Sequence, residues 1–180
     1  MEFIANTNSK WGIKEYNEWI EQERPINVTV TELNISQSNI TTLDGIGNLT
    51  KLAILKCINN QITSLNGLVN STNLIKLDCS KNEITSFDGL ENLTKLTELF
   101  CYNNQLTILP ILPNLIKDYY YDGNPVYDYI KNKCGGKLEI YYKVNKEFSN
   151  KIGEWFLECK YNPTYKYCRD RVDKEYDELF

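Results

Sequence analysis

The stretch Leu74-Ile-Lys-Leu77-Asp-Cys79-Ser-Lys-Asn82-Glu-Ile84 recurs 22 residues later as Leu96-Thr-Glu-Leu99-Phe-Cys101-Tyr-Asn-Asn104-Gln-Leu106. Two earlier copies begin at Val30 and Leu52. When each copy is numbered from its first residue, apolar residues align at positions 1, 4, 6, 11 and 14. Columns at a fixed period predict a solenoid of stacked coils, because a single coil cannot bury its apolar side chains alone. Position 4 holds Leu33, Leu55, Leu77 and Leu99, position 6 holds Ile35, Cys57, Cys79 and Cys101, and position 9 holds Ser38, Asn60, Asn82 and Asn104.

Positions 3 to 7 of each copy alternate with a period of two, which predicts a short strand. Residues at positions 4 and 6 then point into the core, and residues at positions 3, 5 and 7 point to the opposite face. One strand per copy gives a parallel sheet. The Asn at position 9 follows the strand, where we expect its side-chain amide to bond backbone groups that no sheet neighbour reaches.

This spacing, L-x-x-L-x-[LC]-x-x-N-x-[LI], resembles the signature of leucine-rich repeats. The connections Leu43-Asp-Gly-Ile46, Leu65-Asn-Gly-Leu68 and Phe87-Asp-Gly-Leu90 resemble the 22-residue class found in bacterial internalins and in a regulatory subunit of protein phosphatase 1. The resemblance implies an α/β solenoid, a horseshoe arc with short parallel strands on its concave face. The Asp-Gly and Asn-Gly turns predict short 3₁₀ or irregular segments on the convex side.

The ends of the array depart from this pattern. Residues 1–27 are predicted to form an N-terminal helical cap, with a helix over residues 13 to 23 whose apolar face includes Tyr16 and Trp19 and which Pro25 ends. About five repeats fill residues 28–125. In the degenerate fifth copy, counting back from Asn124 turns Tyr119 and Tyr121 inward, whereas counting forward from Leu115 turns Tyr120 inward. We prefer the Asn124 register because Asn-Pro closes many such repeats.

Residues 126–180 are predicted to form a helical C-terminal unit that belongs to the same structural unit as the repeats. A short helix over Val126 to Cys134 should stop at Gly135-Gly136. A second helix has an apolar stripe through Ile140, Val144, Phe148, Ile152 and Trp155, although residues 138–144 alone would also suit a strand. A final helix has its stripe on Tyr165, Cys168, Val172, Tyr176 and Leu179.

Two further resemblances concern the second half of the chain. Leu109-Pro-Ile-Leu-Pro-Asn-Leu115 is similar to the L-P-x-L-P connection of bacterial effector repeats. The tail, from Lys151-Ile-Gly-Glu-Trp-Phe-Leu-Glu-Cys159 to Lys174-Glu-Tyr176, resembles predicted proteins of giant DNA viruses of the mimivirus kind. Those viruses encode leucine-rich repeat proteins with Cys and Tyr in the strands, as in Leu99-Phe-Cys-Tyr-Asn-Asn104. This resemblance implies a viral protein in the host cytoplasm.

Composition disfavours several function classes. A net charge of −4 provides no surplus of basic residues for nucleic acid, and no apolar run suggests a membrane span. The first ten residues lack the pattern of a secretory signal, so we expect an intracellular, non-secreted protein with reduced cysteines. The chain has no His, and the column Cys57, Cys79 and Cys101 suits buried packing better than a metal site, whose ligands must converge on one point. We expect no metal, no cofactor and no catalytic residue.

The predicted concave face is therefore the candidate functional site. Its outward strand positions carry apolar and aromatic residues that fold stability does not require, a composition typical of a protein interface. We expect it to bind a protein partner, with lysines and Asp78 setting the charge preference. An alternative is that the C-terminal helices cover Phe100 and Tyr120. Another is that the chain recruits substrates to an enzyme complex such as a ubiquitin ligase or phosphatase. The candidate partner-binding residues are Ile54, Lys56, Ile58, Lys76, Asp78, Phe100, Tyr102 and Tyr120.

Overall fold

The computed structural model describes residues 9–25, 28–109, 118–143 and 145–147. The chain divides into two compact units, Met1–Tyr127 and Asp128–Phe180. The first unit contains one parallel sheet of six strands in chain order. Its elements are β1 (Lys10–Trp11), α1 (Ile13–Glu21), β2 (Glu32–Asn34), β3 (Ile54–Lys56), β4 (Lys76–Asp78), β5 (Glu98–Phe100) and β6 (Asp118–Tyr120), and α2 (Pro125–Lys133) follows.

The strand register confirms the 22-residue numbering. Leu77, for example, pairs with Leu55 on one side and with Leu99 on the other. Each repeat strand has three residues, at positions 3 to 5, rather than the five predicted. Hydrogen bonds between coils continue beyond the strand, as from Asn59 N to Ser80 O at 3.0 Å. The bonds between coils run on to position 8, where the backbone turns into the left-handed region, with φ between 54° and 56° at Gln37, Asn59, Lys81 and Asn103.

The sheet begins one strand earlier than predicted. Lys10 pairs with Glu32 and Trp11 with Leu33, so these two residues occupy positions 3 and 4 of a truncated copy. Trp11 is buried at the end of the leucine column. The N-terminal segment is therefore a partial repeat that leads into a helix, and not a helix alone.

Helix α1 follows this strand and covers the same end of the core. Its residues Tyr16 and Trp19 are buried, as predicted. The helix ends before Pro25, however, because Glu23 and Arg24 adopt left-handed conformations, with φ of 61° and 56°. Pro25 has another role, since its carbonyl oxygen accepts a hydrogen bond from Trp19 Nε1 at 3.0 Å.

The core consists of the predicted columns. Residues at positions 4 and 6 of the four complete repeats are fully buried, and so are most residues at positions 11 and 14. Burying each such aliphatic side chain contributes about 1.5 to 3 kcal/mol. Because every coil provides one face of its neighbour's core, the coils are stable only as a stack.

The connections opposite the strands are short. They contain 3₁₀ turns at Ile46–Asn48 and Asn66–Leu68, which confirms the prediction for the first two repeats, whereas the third connection has only turns. Gly89, with φ of 99°, lies so close to the preceding coil that an added Cβ would be 2.5 Å from Leu65 O. In the part of the chain that the structure describes, no helix has the length and apolar composition needed to cross a membrane.

The fifth copy follows the Asn124 register. Tyr119 pairs with Leu99, and the Asn124 side chain is buried. Its Oδ1 accepts a hydrogen bond from Leu106 N at 3.0 Å, and its Nδ2 donates to Cys101 O at 2.9 Å. Tyr119 and Tyr121 are half-buried and Tyr120 is exposed, as this register requires.

The second unit is helical in its described part. Helix α2 ends as predicted, with Gly135 and Gly136 in left-handed conformations. Residues 138–143 and 145–147 are helical rather than extended. The predicted stripe is wrong at Ile140, which is 39% exposed, because the neighbouring Tyr141 is buried instead and its ring packs against Tyr129. The stripes predicted beyond residue 147 and the virus-like tail lie outside the described residues.

Candidate functional site

Side chains at positions 3, 5 and 7 form one surface of the sheet, here called the concave face. The parallel register places each residue beside its equivalent in the next coil. Position 3 carries Lys10, Glu32, Ile54, Lys76, Glu98 and Asp118. Position 5 of the five repeats carries Asn34, Lys56, Asp78, Phe100 and Tyr120, and position 7 carries Ser36, Ile58, Ser80, Tyr102 and Asp122.

The asparagines at position 9 fix the backbone behind this face, as predicted. Asn82 Nδ2 donates to the carbonyl oxygens of Cys57 and Cys79, each at 3.0 Å, and Asn82 Oδ1 accepts from Ile62 N at 3.0 Å. One side chain thus joins two coils. Asn60, Asn104 and Asn124 make equivalent bonds, so side-chain amides that are half-buried at Asn60 and buried at the other two hold the coils together where the strands stop.

Two aromatic rings stack on the concave face. The centroids of Phe100 and Tyr120 are 4.9 Å apart, and the ring planes differ by 8°. Adjacent parallel strands are separated by about 4.7 to 4.9 Å, so equivalent positions stack their rings face to face. Lys76 Nζ lies 4.8 Å from the centroid of Phe100, a cation–π contact. Tyr120 remains 49% exposed.

The two lysines predicted to select a partner are paired within the chain. Glu32 accepts from Lys10 at 3.0 Å and from Lys56 at 3.1 Å, and these hydrogen bonds lower the pKa of Glu32. Lys76 donates to Glu98 at 2.5 Å, which raises the pKa of Lys76. The charges of Lys56 and Lys76 therefore hold neighbouring strands together before any partner arrives. Because Lys76 lies directly opposite Glu98, the repeat register could have identified that pair.

Three carboxylates on this face have no such partner. Within the described residues, no ion pair includes Asp78, Asp118 or Asp122. Asp118 and Asp122 are exposed, whereas Asp78 is half-buried and accepts a hydrogen bond from Ser80 N at 3.2 Å. The C-terminal half of the concave face is consequently acidic around its aromatic rings. Of these three residues only Asp78 is among the candidates predicted from the sequence, although the repeat numbering also places Asp118 and Asp122 at outward positions.

The remaining candidate residues also lie on this face. Ile54, Ile58 and Tyr102 are half-buried, which leaves part of each apolar side chain in water. Ser80 differs from the prediction, because this outward position is fully buried. Its short side chain lies in one column between the larger Ile58 and Tyr102, so it does not reach the surface. Thus seven of the eight candidates form a half-buried surface, and the eighth, Tyr120, is exposed.

Metal-binding groups do not converge anywhere in the described part of the chain, where no set of three His, Cys, Asp or Glu side chains is arranged to hold an ion. The position 6 cysteines are buried instead. Burial raises the pKa of the Cys57, Cys79 and Cys101 thiols, because the apolar surroundings disfavour the thiolate.

Comparison with protein families supports the repeat assignment. Residues 72–114 match the family described as "Leucine Rich repeats (2 copies)". Among curated proteins, none matches the chain significantly.

Solved structures with a similar fold include internalin C2 from Listeria monocytogenes str. 4b F2365. The match has 30% sequence identity and a TM-score of 0.50, and covers 54% of this chain and 44% of that one. The functional domain of InlJ from Listeria monocytogenes, described as including a cysteine ladder, matches with 40% identity and a TM-score of 0.50 over 53% of this chain. The matched part is about a fifth of the InlJ chain, at 21%. The chain thus spans less than half the length of either internalin.

Proposed function

We propose that the concave face of this repeat array binds a segment of a protein partner and that the chain itself catalyses no reaction. The stacked pair Phe100 and Tyr120 is the observation that supports this proposal. The rings occupy outward positions, where an aromatic residue adds nothing to the core, and Tyr120 is about half exposed at 49%. Aromatic residues in such places are enriched among the anchors of protein interfaces.

The scaffold behind the rings also suits binding. The strands that carry Phe100 and Tyr120 are fixed by sheet pairing and by the buried amides of Asn104 and Asn124. A partner would therefore meet side chains that are already ordered, which lowers the entropic cost of association. Tyr102 adds apolar surface on the same coil as Phe100, and Ile54 and Ile58 provide more two coils away, so an extended segment that crosses several strands is the partner that fits best.

Affinity capture with matched variants tests the proposal. The full chain, its Phe100→Ala variant and its Val69→Ala variant would be used to capture proteins from cells in which the protein is made. Val69 is a suitable control because it is apolar and 41% exposed, yet it follows the 3₁₀ turn on the side opposite the strands. We expect a protein that the wild type and Val69→Ala retain and that Phe100→Ala loses. Equal capture by all three would contradict the concave face as the binding surface.

The finer expectations from the sequence stay predictions. A location inside cells, a viral origin with a host partner, and recruitment of substrates to a ubiquitin ligase or phosphatase each rest on resemblance or composition. A ubiquitin-transfer assay with the purified chain separates binding alone from catalysis. Transfer without an added ligase would overturn the non-enzymatic proposal.

A further inference from the structure

The charge on the concave face is distributed unevenly along the solenoid. In the N-terminal half, Lys10 and Lys56 are both bonded to Glu32. In the C-terminal half, formed by the last three strands, the outward positions carry the single cation Lys76 against four carboxylates. These carboxylates are Asp78, Glu98, Asp118 and Asp122. Lys76 is bonded to Glu98 and is also attracted by Asp78 and Asp118, so one cation serves four carboxylates and the outward positions around the aromatic stack carry a net charge of −3.

We infer that this half of the concave face binds a basic peptide segment and that an Arg or Lys side chain of the partner lies on Tyr120 between Asp118 and Asp122. The inference rests on the proposed function and names the chemistry of the partner. It commits to a cationic protein segment because nucleic acid would be repelled by these carboxylates, and a purely apolar ligand would leave them unpaired.

The position of Tyr120 between two acids follows from strand geometry. Residues two apart on a strand point to the same face and are separated by about 7 Å. Asp118 lies two residues before Tyr120 on β6, and Asp122 lies two residues after it, in the turn that follows the strand; both carboxylates are exposed. A cation above the exposed tyrosine ring could approach both. An arginine suits the place best, because its planar guanidinium stacks on aromatic rings and bonds carboxylates with two N–H groups.

The stack already shows how a cation is accommodated. Strand β5 lies between β4 and β6, so Lys76 and Tyr120 reach Phe100 from the strands on its two sides. The ammonium of Lys76 contacts the ring and is bonded to a carboxylate, Glu98, at the same time. A partner cation on Tyr120, held by Asp118 and Asp122, would repeat this arrangement one step further along the column.

A random peptide library displayed on phage, selected on the immobilised full chain, tests the inference. Some selected peptides should bind the wild-type chain but not its Tyr120→Ala variant. We expect these peptides to be enriched in Arg and Lys next to apolar residues. Replacing the enriched Arg of such a peptide by citrulline, its neutral isostere, should weaken binding about tenfold or more, because charge-assisted hydrogen bonds are lost. Affinity should also fall as salt rises from about 0.05 to 0.5 M.

Protein variants provide the second arm. The double variant Asp118→Asn and Asp122→Asn should bind the Arg-containing peptide more weakly by a similar factor. Its melting temperature should equal that of the wild type, since both side chains are exposed. The control is Asp44→Asn with Glu83→Gln, which removes two exposed carboxylates outside this face and should leave affinity unchanged. Peptides that depend on Tyr120 but are acidic or uncharged would overturn the inference and leave the proposed function intact. Peptides that bind regardless of Tyr120 and Phe100 would overturn both.

Discussion

The thiol of Cys79 donates a weak hydrogen bond to the carbonyl oxygen of Phe100, with sulfur and oxygen 3.5 Å apart. Cys57 and Cys101 make the same contact with the next coil, through Asp78 O at 3.5 Å and Tyr120 O at 3.3 Å. Each cysteine therefore connects the core of one coil to the backbone that carries a residue of the concave face.

The first prediction concerns the reactivity of these thiols. Burial raises the pKa of Cys57, Cys79 and Cys101 and also keeps reagents out, so the native protein should resist alkylation at pH 8. Mass spectrometry after a timed reaction with iodoacetamide should find these residues modified only in denaturant. Rapid modification of Cys79 in the native state would mean that the column faces water.

The same burial predicts a pH dependence of stability. The folded state holds the thiols protonated, whereas in the unfolded state they ionise near about pH 8.5. The unfolding free energy should thus keep its full value below that pH and fall above it, by up to about 1.4 kcal/mol per pH unit for each thiol. Urea unfolding under reducing conditions at pH 7.5 and 9.5 measures the loss. The loss should be smaller in Cys79→Ala, and an equal loss in that variant would contradict the assignment.

Asn82→Ala should destabilise the stack from within. The change leaves Ile62 N without its acceptor and removes one of the two amide donors to Cys57 O and to Cys79 O, which keep Asn60 Nδ2 and Asn104 Nδ2 respectively. Because a buried donor left unsatisfied is costly, we expect the unfolding free energy to drop by about 1 to 3 kcal/mol. The exposed Asn92 provides the control, since Asn92→Ala should change stability by less than about 0.5 kcal/mol. Similar losses of unfolding free energy in Asn82→Ala and Asn92→Ala would contradict a structural role for position 9.

Leu77→Ala tests the inward column. Leu77 is fully buried between Leu55 and Leu99, so truncation leaves a cavity bordered by both neighbouring coils. The expected loss is about 2 to 5 kcal/mol. Ile75→Ala, two residues away at a position that is 44% exposed, should cost far less. A loss below about 0.5 kcal/mol for Leu77→Ala in denaturant melts would contradict the register.

Substitutions of Phe100 and Tyr102 distinguish a role in binding from a role in folding. Both Phe100→Ala and Tyr102→Ala should abolish partner capture, because losing an interface anchor usually costs about 2 kcal/mol or more in binding. Phe100→Ala should also lower stability slightly, by about 0.5 to 1.5 kcal/mol, because the ring loses its stack on Tyr120. Tyr102→Ala should leave the melting temperature nearly unchanged. If the C-terminal helices cover this face instead, both variants should melt well below the wild type with capture intact.

The repeat register could be predicted because the same apolar positions recur in every copy. Once Leu33, Leu55, Leu77 and Leu99 align, the outward positions follow automatically, and so do most candidate site residues. The strand at Lys10 and Trp11 escaped detection because only two residues of that copy keep the pattern before α1 begins. A 22-residue step back from Leu33 reaches Trp11 and was the available signal.

The side-chain interactions were harder to foresee. Lys56 bonds Glu32, a diagonal neighbour, although its register partners are Asn34 and Asp78. Such a choice depends on side-chain conformation rather than on spacing. The burial of Ser80 likewise depends on the size of the residues beside it in the next coils. The alternation of side chains along one strand does not predict that effect.

The pairing of Trp11 with Leu33 has an evolutionary consequence. The partial copy keeps the same step as the complete ones, so a duplication or deletion of one whole repeat in the gene leaves every ladder bond and core column in phase. An insertion of one residue within a strand would exchange the inward and outward residues that follow it. Selection can therefore lengthen this protein coil by coil, and each new coil widens the surface offered to a partner by about 4.8 Å and adds three residues that are free to diverge.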